Sequence, residues 1–219
     1  VDDSMIIEPL PEEEAKKVEI VRGPNIKFLP IPEPPRQHLQ VPVSLKGGDN
    51  ISTDDITPAS AEFSSMRSNI PLMSQYCYYR YDPDFAARAK EMGSSIIVAG
   101  ENYGQGSSRE HAAINPMYLG VKAVIAKSIA RIHKGNLINH GIIPMIFEDC
   151  RDYDRIDLLD ELEIDNLPDQ IRTRTVTVKD KTKDFTFQVK LELSNSEMEV
   201  VLEGGQLSHL KKQLAGQEE

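Results

Sequence analysis

The chain has 219 residues, a formal net charge of −10 and an isoelectric point near 5.1. That charge argues against a broad cationic face for nucleic acid or anionic lipid, so any anion it binds must meet a local basic site. Its two cysteines, Cys77 and Cys150, lie far apart and cannot supply the three or four thiolates of an iron–sulfur cluster; we read them as free thiols. No apolar run approaches the roughly 18 residues of a membrane span, and the N-terminus lacks a basic-then-apolar signal pattern. The expectation is a protein of a reducing compartment, the cytoplasm or the mitochondrial matrix. The sequence starts at Val1 in an acidic, proline-rich stretch and reads like a piece of a longer chain.

Residues 1–36 hold seven of the fourteen prolines, a density that blocks helix and sheet hydrogen bonding. We therefore expect an extended interdomain linker over 1–37, with one short helix at "PEEEAKKVEI", and a compact domain over 38–219. "LQVPVSLKGG" reads as a strand ending at Gly47-Gly48, followed by the polar loop "DNISTDDITPAS". In "YCYYRY" the tyrosines suggest an alternating strand or an interdomain surface rather than base stacking. "DPDFAARAKEMG" has an acidic start and a glycine stop, predicting a helix over about 83–92. "SSIIVAG" then predicts a strand, "SREHAAINPMYLG" a helix, "VKAVIAKS" a strand, "IARIHKGNLINHG" a helix and "IIPMIF" a strand. This alternation over 95–147 predicts a parallel α/β layer. "TRTVTVKD" and "DFTFQVKLEL" alternate as antiparallel strands do, and "QLSHLKKQLAG" closes the chain as a helix. The fold class expected is mixed α/β, of a β/β/α type.

The stretch "GENYGQGSSREHAA", residues 100–113, is the densest in chemistry. Ser107 and Glu110 are spaced as an S-x-x-E capping box, a purely structural reading. A strand entering a glycine-rich turn before a helix also builds an anion site, since free N–H groups face the loop. Neither nucleotide fingerprint fits, because no lysine follows Gly106 and Arg109 stands where a third glycine would be needed. Arg109 beside a helix start suits a carboxylate, which a guanidinium grips with two parallel hydrogen bonds. The same positive field lowers the cost of ionising the Ser107 hydroxyl. His111 reads as a histidine that fixes the turn. His133 and His140 read as surface or core-edge residues rather than metal ligands, and Asp54-Asp55 reads as a turn.

Taken together, "GDNISTDDITPA", "GENYGQGSSREHAA" and "LGVKAVIAKSIARIHKGNLINHGIIPMIF" closely resemble the C-terminal swivel domain of the aconitase superfamily over about residues 38–205. The segment "VEIVRGPNIKFLPIP" resembles the interdomain linker of single-chain aconitases. The resemblance implies a swivelling β/β/α domain and a role in the hydro-lyase reaction that converts citrate to isocitrate through cis-aconitate. It implies that Ser107 is the catalytic base and Asp54 an active-site carboxylate, with Ser108, Arg109 and Arg67 binding the carboxylates of a tricarboxylate substrate. A [4Fe-4S] cluster is implied for the complete enzyme, ligated not by this chain but by the three cluster-bearing domains of the same chain or of a large subunit. Alone, the chain is then expected to be inert or nearly so. The alternative within the superfamily is the small subunit of a 3-isopropylmalate or homoaconitate hydro-lyase. Gln105, where such small subunits often carry cysteine, and the long linker speak for aconitase. A non-catalytic ligand- or RNA-binding module is the reading from another class, and the charge of −10 opposes it.

Overall fold

The computed structural model describes residues 2–28 and 30–215. The N-terminal segment carries one short helix, α1 (Glu12–Ala15), and otherwise runs without regular structure to Gln37. Strand β1 (His38–Lys46) follows, then α2 (Thr53–Ile56), α3 (Ile70–Met73) and α4 (Phe85–Met92). From there β2 (Ser95–Ala99), α5 (His111–Tyr118), β3 (Val121–Ala126), α6 (Arg131–Asn139) and β4 (Ile143–Phe147) alternate as expected. The remainder contains β5 (Glu161–Asp165), α7 (Leu167–Thr173), β6 (Thr175–Asp180), β7 (Phe185–Lys190), α8 (Asn195–Leu202) and α9 (Gln206–Ala215). The expected end of the last helix at Gly216 lies outside the described residues.

The strands form a closed barrel in the order β1-β2-β3-β4-β7-β6-β5. β1 to β4 run parallel, and β7, β6 and β5 return antiparallel to close on β1. The parallel half arises because each strand is followed by a crossover on the outside, while β6 and β7 are joined by a tight turn. Alternate side chains divide between two cores. Val43, Ile96, Val98, Ile125, Met145, Val176 and Val178 belong to one cluster, which includes residues of all seven strands. Leu45, Ile97, Ala99 and Val124 belong to the other, packing with Phe85 and Ala89 of α4 and Ala112 and Ala113 of α5. A register shift between Val43 and Leu45 lets β1 serve both clusters.

α4 stops where expected, at Gly93, whose φ of +67° closes the helix in the left-handed region. Three expectations need correction. "YCYYRY" is not a strand: its residues form the end of a 3-10 turn and a further turn, with Tyr78 wholly buried at φ +58° and its ring 4.6 Å from that of Phe85. α8, opened by the Ser194–Glu197 capping box, was not among the expected elements. β5 and α7 were missing from the expected elements, because a five-residue strand with three acidic side chains carries little apolar signal.

Candidate functional site

Three loops leave the C-terminal ends of the adjacent parallel strands β1, β2 and β3, the place where open α/β sheets offer ligand crevices. Main-chain hydrogen bonds lace them together. Asn50 N–H donates to the Glu101 carbonyl (2.7 Å), Gly104 N–H to that of Ile51 (2.7 Å) and Thr53 N–H to that of Gln105 (2.9 Å). On the other side Tyr103 N–H donates to the Ser128 carbonyl (3.0 Å) and Ala130 N–H to that of Tyr103 (2.9 Å). The glycine-rich turn is therefore a short strand-like bridge gripped from both flanks.

Its glycines are dictated by space and dihedral. Gly104 has φ +78°, and a Cβ there would sit 2.0 Å from His133 Cδ2. A Cβ on Gly100 would meet Asp49 Oδ1 at 2.0 Å, the atom that accepts the Glu101 N–H at 2.7 Å. Beneath the turn, the hydroxyls of Tyr103 and Tyr78 hydrogen-bond to each other, both residues wholly buried, and burial pushes both phenols up. His133 is 1% exposed, so it is a core residue and not the surface or edge residue expected. Among the described residues neither of its ring nitrogens has a hydrogen-bond partner, and burial pulls it down to about 4, which keeps the ring neutral. Space beneath Gly104 is what draws the imidazole inward.

The capping box lies elsewhere than expected. Ser52 and Asp55 form it: Asp55 N–H donates to Ser52 Oγ (3.1 Å) and Ser52 N–H to Asp55 Oδ2 (2.8 Å), opening α2. Asp54-Asp55 is thus a helix start rather than a plain turn. Ser107 and Glu110 form no such box; α5 begins only at His111, with no side-chain cap. Glu110 is instead the N-cap residue, and the Arg109 side chain just before it reaches across to the loop after β1. Arg109 Nη1 donates to the Thr57 carbonyl (3.1 Å), and Nη2 to Thr53 Oγ1 (3.1 Å) and Asp54 Oδ1 (2.8 Å). Thr53 Oγ1 in turn donates to the Ser107 carbonyl (3.1 Å).

The structure therefore brings Asp54, Ser107, Ser108 and Arg109 onto one pair of loops. Arg67 joins them from the end of a 3-10 turn, its carbonyl 3.0 Å from His111 Nε2, so His111 ties down the Arg67 loop and not the glycine-rich turn expected. A cavity of about 240 Å³ is lined by Arg67, Ser108, Arg109, Glu110 and His111 with Thr57 and its neighbours. Ser107 and Asp54 are exposed and do not line it. Among the described residues the Ser107 hydroxyl makes no hydrogen bond, so no side chain here is placed to take its proton. Thr57 was not singled out from the sequence; besides holding Arg109 through its carbonyl, its hydroxyl accepts from the buried Asn115 Nδ2 (3.2 Å). An apolar-flanked threonine carries no sequence signal for that task.

Arg109 is 17% exposed and Asp54 65%. An ion pair this open to water contributes about 0–1 kcal/mol, whereas hydrogen bonds from a charged group to half-buried oxygens contribute about 1.5–3 kcal/mol each. The Thr57 carbonyl and Thr53 hydroxyl thus set where the guanidinium sits. Asp54, the most exposed of the three, is the partner most open to exchange with water.

The residues present do not fit a [4Fe-4S] cluster. Cys77 is buried, with its thiol pushed up by burial, and Cys150 is exposed. Among the described residues no group of three or more His, Cys, Asp or Glu side chains could hold a metal ion. No described helix is long and apolar enough to cross a membrane.

The family model described as the aconitase C-terminal domain matches residues 71–150. The chain is 40% identical over 167 residues to 3-isopropylmalate dehydratase small subunit 2 of Archaeoglobus fulgidus, covering 76% of this chain and 92% of that one. It is 33% identical over 212 residues to the putative mitochondrial aconitate hydratase of Emericella nidulans, covering 84% of this chain but only 26% of that one, about a quarter of its length. The crystal structure of a 3-isopropylmalate dehydratase from Methanocaldococcus jannaschii superposes with a TM-score of 0.67 at 34% identity, over 82% of this chain and 98% of that one.

Proposed function

Because the chain belongs to the aconitase superfamily, as a counterpart of its C-terminal swivel domain, we propose that it is the carboxylate-binding half of a hydro-lyase acting on a 2-hydroxy polycarboxylic acid. The observation that carries the reading is the convergence of Arg67, Ser108 and Arg109 on one cavity, with Ser107 and Asp54 on the same two loops. The proton removed in such a dehydration is alpha to a carboxylate and only weakly acidic. Cations that meet the dianion as it forms lower that barrier most when water is excluded. In this reading Arg109 exchanges Asp54 for a substrate carboxylate, Arg67 and Ser108 hold the rest of it, and Ser107 takes the proton. The serine needs the dry, positive surroundings that only a covering partner gives it, so the chain alone is inactive. The cluster belongs to that partner portion, on the same chain or on a large subunit.

Two readings of the substrate have separate support. Similarity over 92% and 98% of the length of small subunits favours a two-chain 3-isopropylmalate or homoaconitate enzyme. Similarity to aconitate hydratase takes in more of this chain, 84% against 76%, and favours citrate and isocitrate. The test mixes the chain with a cluster-reconstituted partner portion of each kind and follows the unsaturated acid formed from citrate, homocitrate and 3-isopropylmalate. Activity only in a mixture, reduced at least about a thousandfold by Ser107→Ala, supports the proposal. Activity of the chain alone, or an undiminished Ser107→Ala mixture, refutes it.

A further inference from the structure

The N-terminal segment reaches the candidate site. Lys27 N–H donates to the Ser68 carbonyl at 3.2 Å, which pins the segment beside Arg67. A second cavity, of about 290 Å³, is lined by Lys27, Arg67, Ser68, Ile70, Glu110 and His111. Arg67, Glu110 and His111 border both cavities, so the two adjoin, with Arg109 on the far side and Lys27 on the near side. Among the described residues no carboxylate lies within 4.0 Å of the Lys27 ammonium or the Arg67 guanidinium, and neither side chain donates a hydrogen bond. Arg109, by contrast, already has a carboxylate in Asp54. The one carboxylate lining this cavity, Glu110, lies 3.5 Å from His111 Nδ1; in a chain of net charge −10, two cations without a carboxylate partner on one cavity leave room for a negative group from outside.

We propose that Lys27 is a substrate-binding residue of this site: together with Arg67 it takes a carboxylate that Arg109 does not hold. This rests on the hydro-lyase reading and narrows it. Two adjoining cavities with a cation at each end and one between them suit a 2-hydroxy acid with three carboxylates better than one with two carboxylates and an apolar branch. Such an apolar branch next to Lys27 would desolvate the ammonium without compensating it. The segment around Lys27 is then part of the binding surface as well as a tether, and ligand binding holds it against Ser68.

The test uses the chain as it stands, with propane-1,2,3-tricarboxylate and glutarate as probes, followed by calorimetry and by the amide and guanidinium NMR signals of Ser108 and Arg109. The expected result is that the tricarboxylate binds about tenfold more tightly than glutarate, that Lys27→Gln removes this advantage, and that Lys27→Arg keeps most of it. Trypsin provides a second readout: the tricarboxylate should slow cleavage at Lys27–Phe28 but leave Lys17–Val18 and Arg22–Gly23 unprotected. If Ser108 and Arg109 respond to both acids while Lys27→Gln keeps the full tricarboxylate preference, Lys27 is not in the site although the site stands. If neither acid moves the Ser108 and Arg109 signals, the hydro-lyase reading fails and this inference fails with it.

Discussion

Replacing Gly104 by alanine tests whether the buried contact beneath the glycine-rich turn fixes the loop that carries Ser107 to Arg109. Two costs add. An L-residue at φ +78° costs about 1–2 kcal/mol relative to glycine. The new Cβ would lie 2.0 Å from His133 Cδ2 and 2.2 Å from Cγ, where ordinary contact begins at 3.4 Å, so about 1.4 Å must open. His133 is 1% exposed and packs, tilted by 60°, with its ring centre 5.3 Å from that of the buried Tyr103, so the ring has little room to swing. Overpacking of this kind costs about 1–3 kcal/mol. The sum, about 2–5 kcal/mol, lowers the melting temperature by roughly 4–20 °C for a chain of this size. Urea denaturation followed by circular dichroism measures it. Gly135→Ala in α6 is the control: a Cβ there meets nothing within 4 Å, and alanine should stabilise by up to about 1 kcal/mol. Gly104→Ala combined with His133→Ala removes the ring overlap and keeps only the 2.7 Å approach to the Cβ of residue 133, so a double-mutant cycle should return a coupling of about 0.5–3 kcal/mol. A Gly104→Ala cost below about 0.5 kcal/mol, or a cycle without coupling, would refute the argument.

Acid should destabilise the chain through the same histidine. Its folded value, near 4, lies below the ordinary 6.5, so between those two values the unfolded chain binds the extra proton and stability rises with pH. The contribution is complete above about pH 6.5 and falls by about 3 kcal/mol as pH drops to 4. His140, also lowered to about 4 by burial, adds to it with the same sign. Unfolding free energies measured across that window should flatten in His133→Gln; an unchanged slope would sink the assignment. Thiol titration offers a simpler check. Native protein should expose one fast-reacting thiol, Cys150, and denatured protein two, because Cys77 is buried and its thiolate is disfavoured. Equal rates for both in native buffer would contradict that burial.

The parts of the fold that were legible from sequence are those with strong periodicity or firm punctuation. β2, β3 and β4 are apolar runs between glycine-rich turns, and α4 ends on Gly93. Closure into a barrel was not legible, because it depends on β5 meeting β1 over His38–Pro42 and on two short seams, none of which leaves a local pattern. At the site, the residue types and their grouping could be read, and the structure does set Asp54 against Arg109 across 55 positions of chain. The wiring could not. The S-x-x-E spacing at Ser107 looked like a helix start, but α5 starts only at His111 while Arg109 bonds across to the loop after β1, and the capping box in these loops is at Ser52. Lys27 gave no signal, since a lysine in a proline-rich segment becomes informative only once its neighbours in space are known.

Barrel closure also affects how the chain can exist on its own. Strands at the rim of an open sheet present rows of amide groups that recruit strands from other molecules. Here β5 pairs back onto β1 along five residues, and every strand has a neighbour on both sides. If the chain works against a covering partner, as proposed above, it can part from that partner without exposing a template for lateral self-association. What it leaves uncovered is the loop-built face that carries Arg67, Ser108 and Arg109, which water solvates readily.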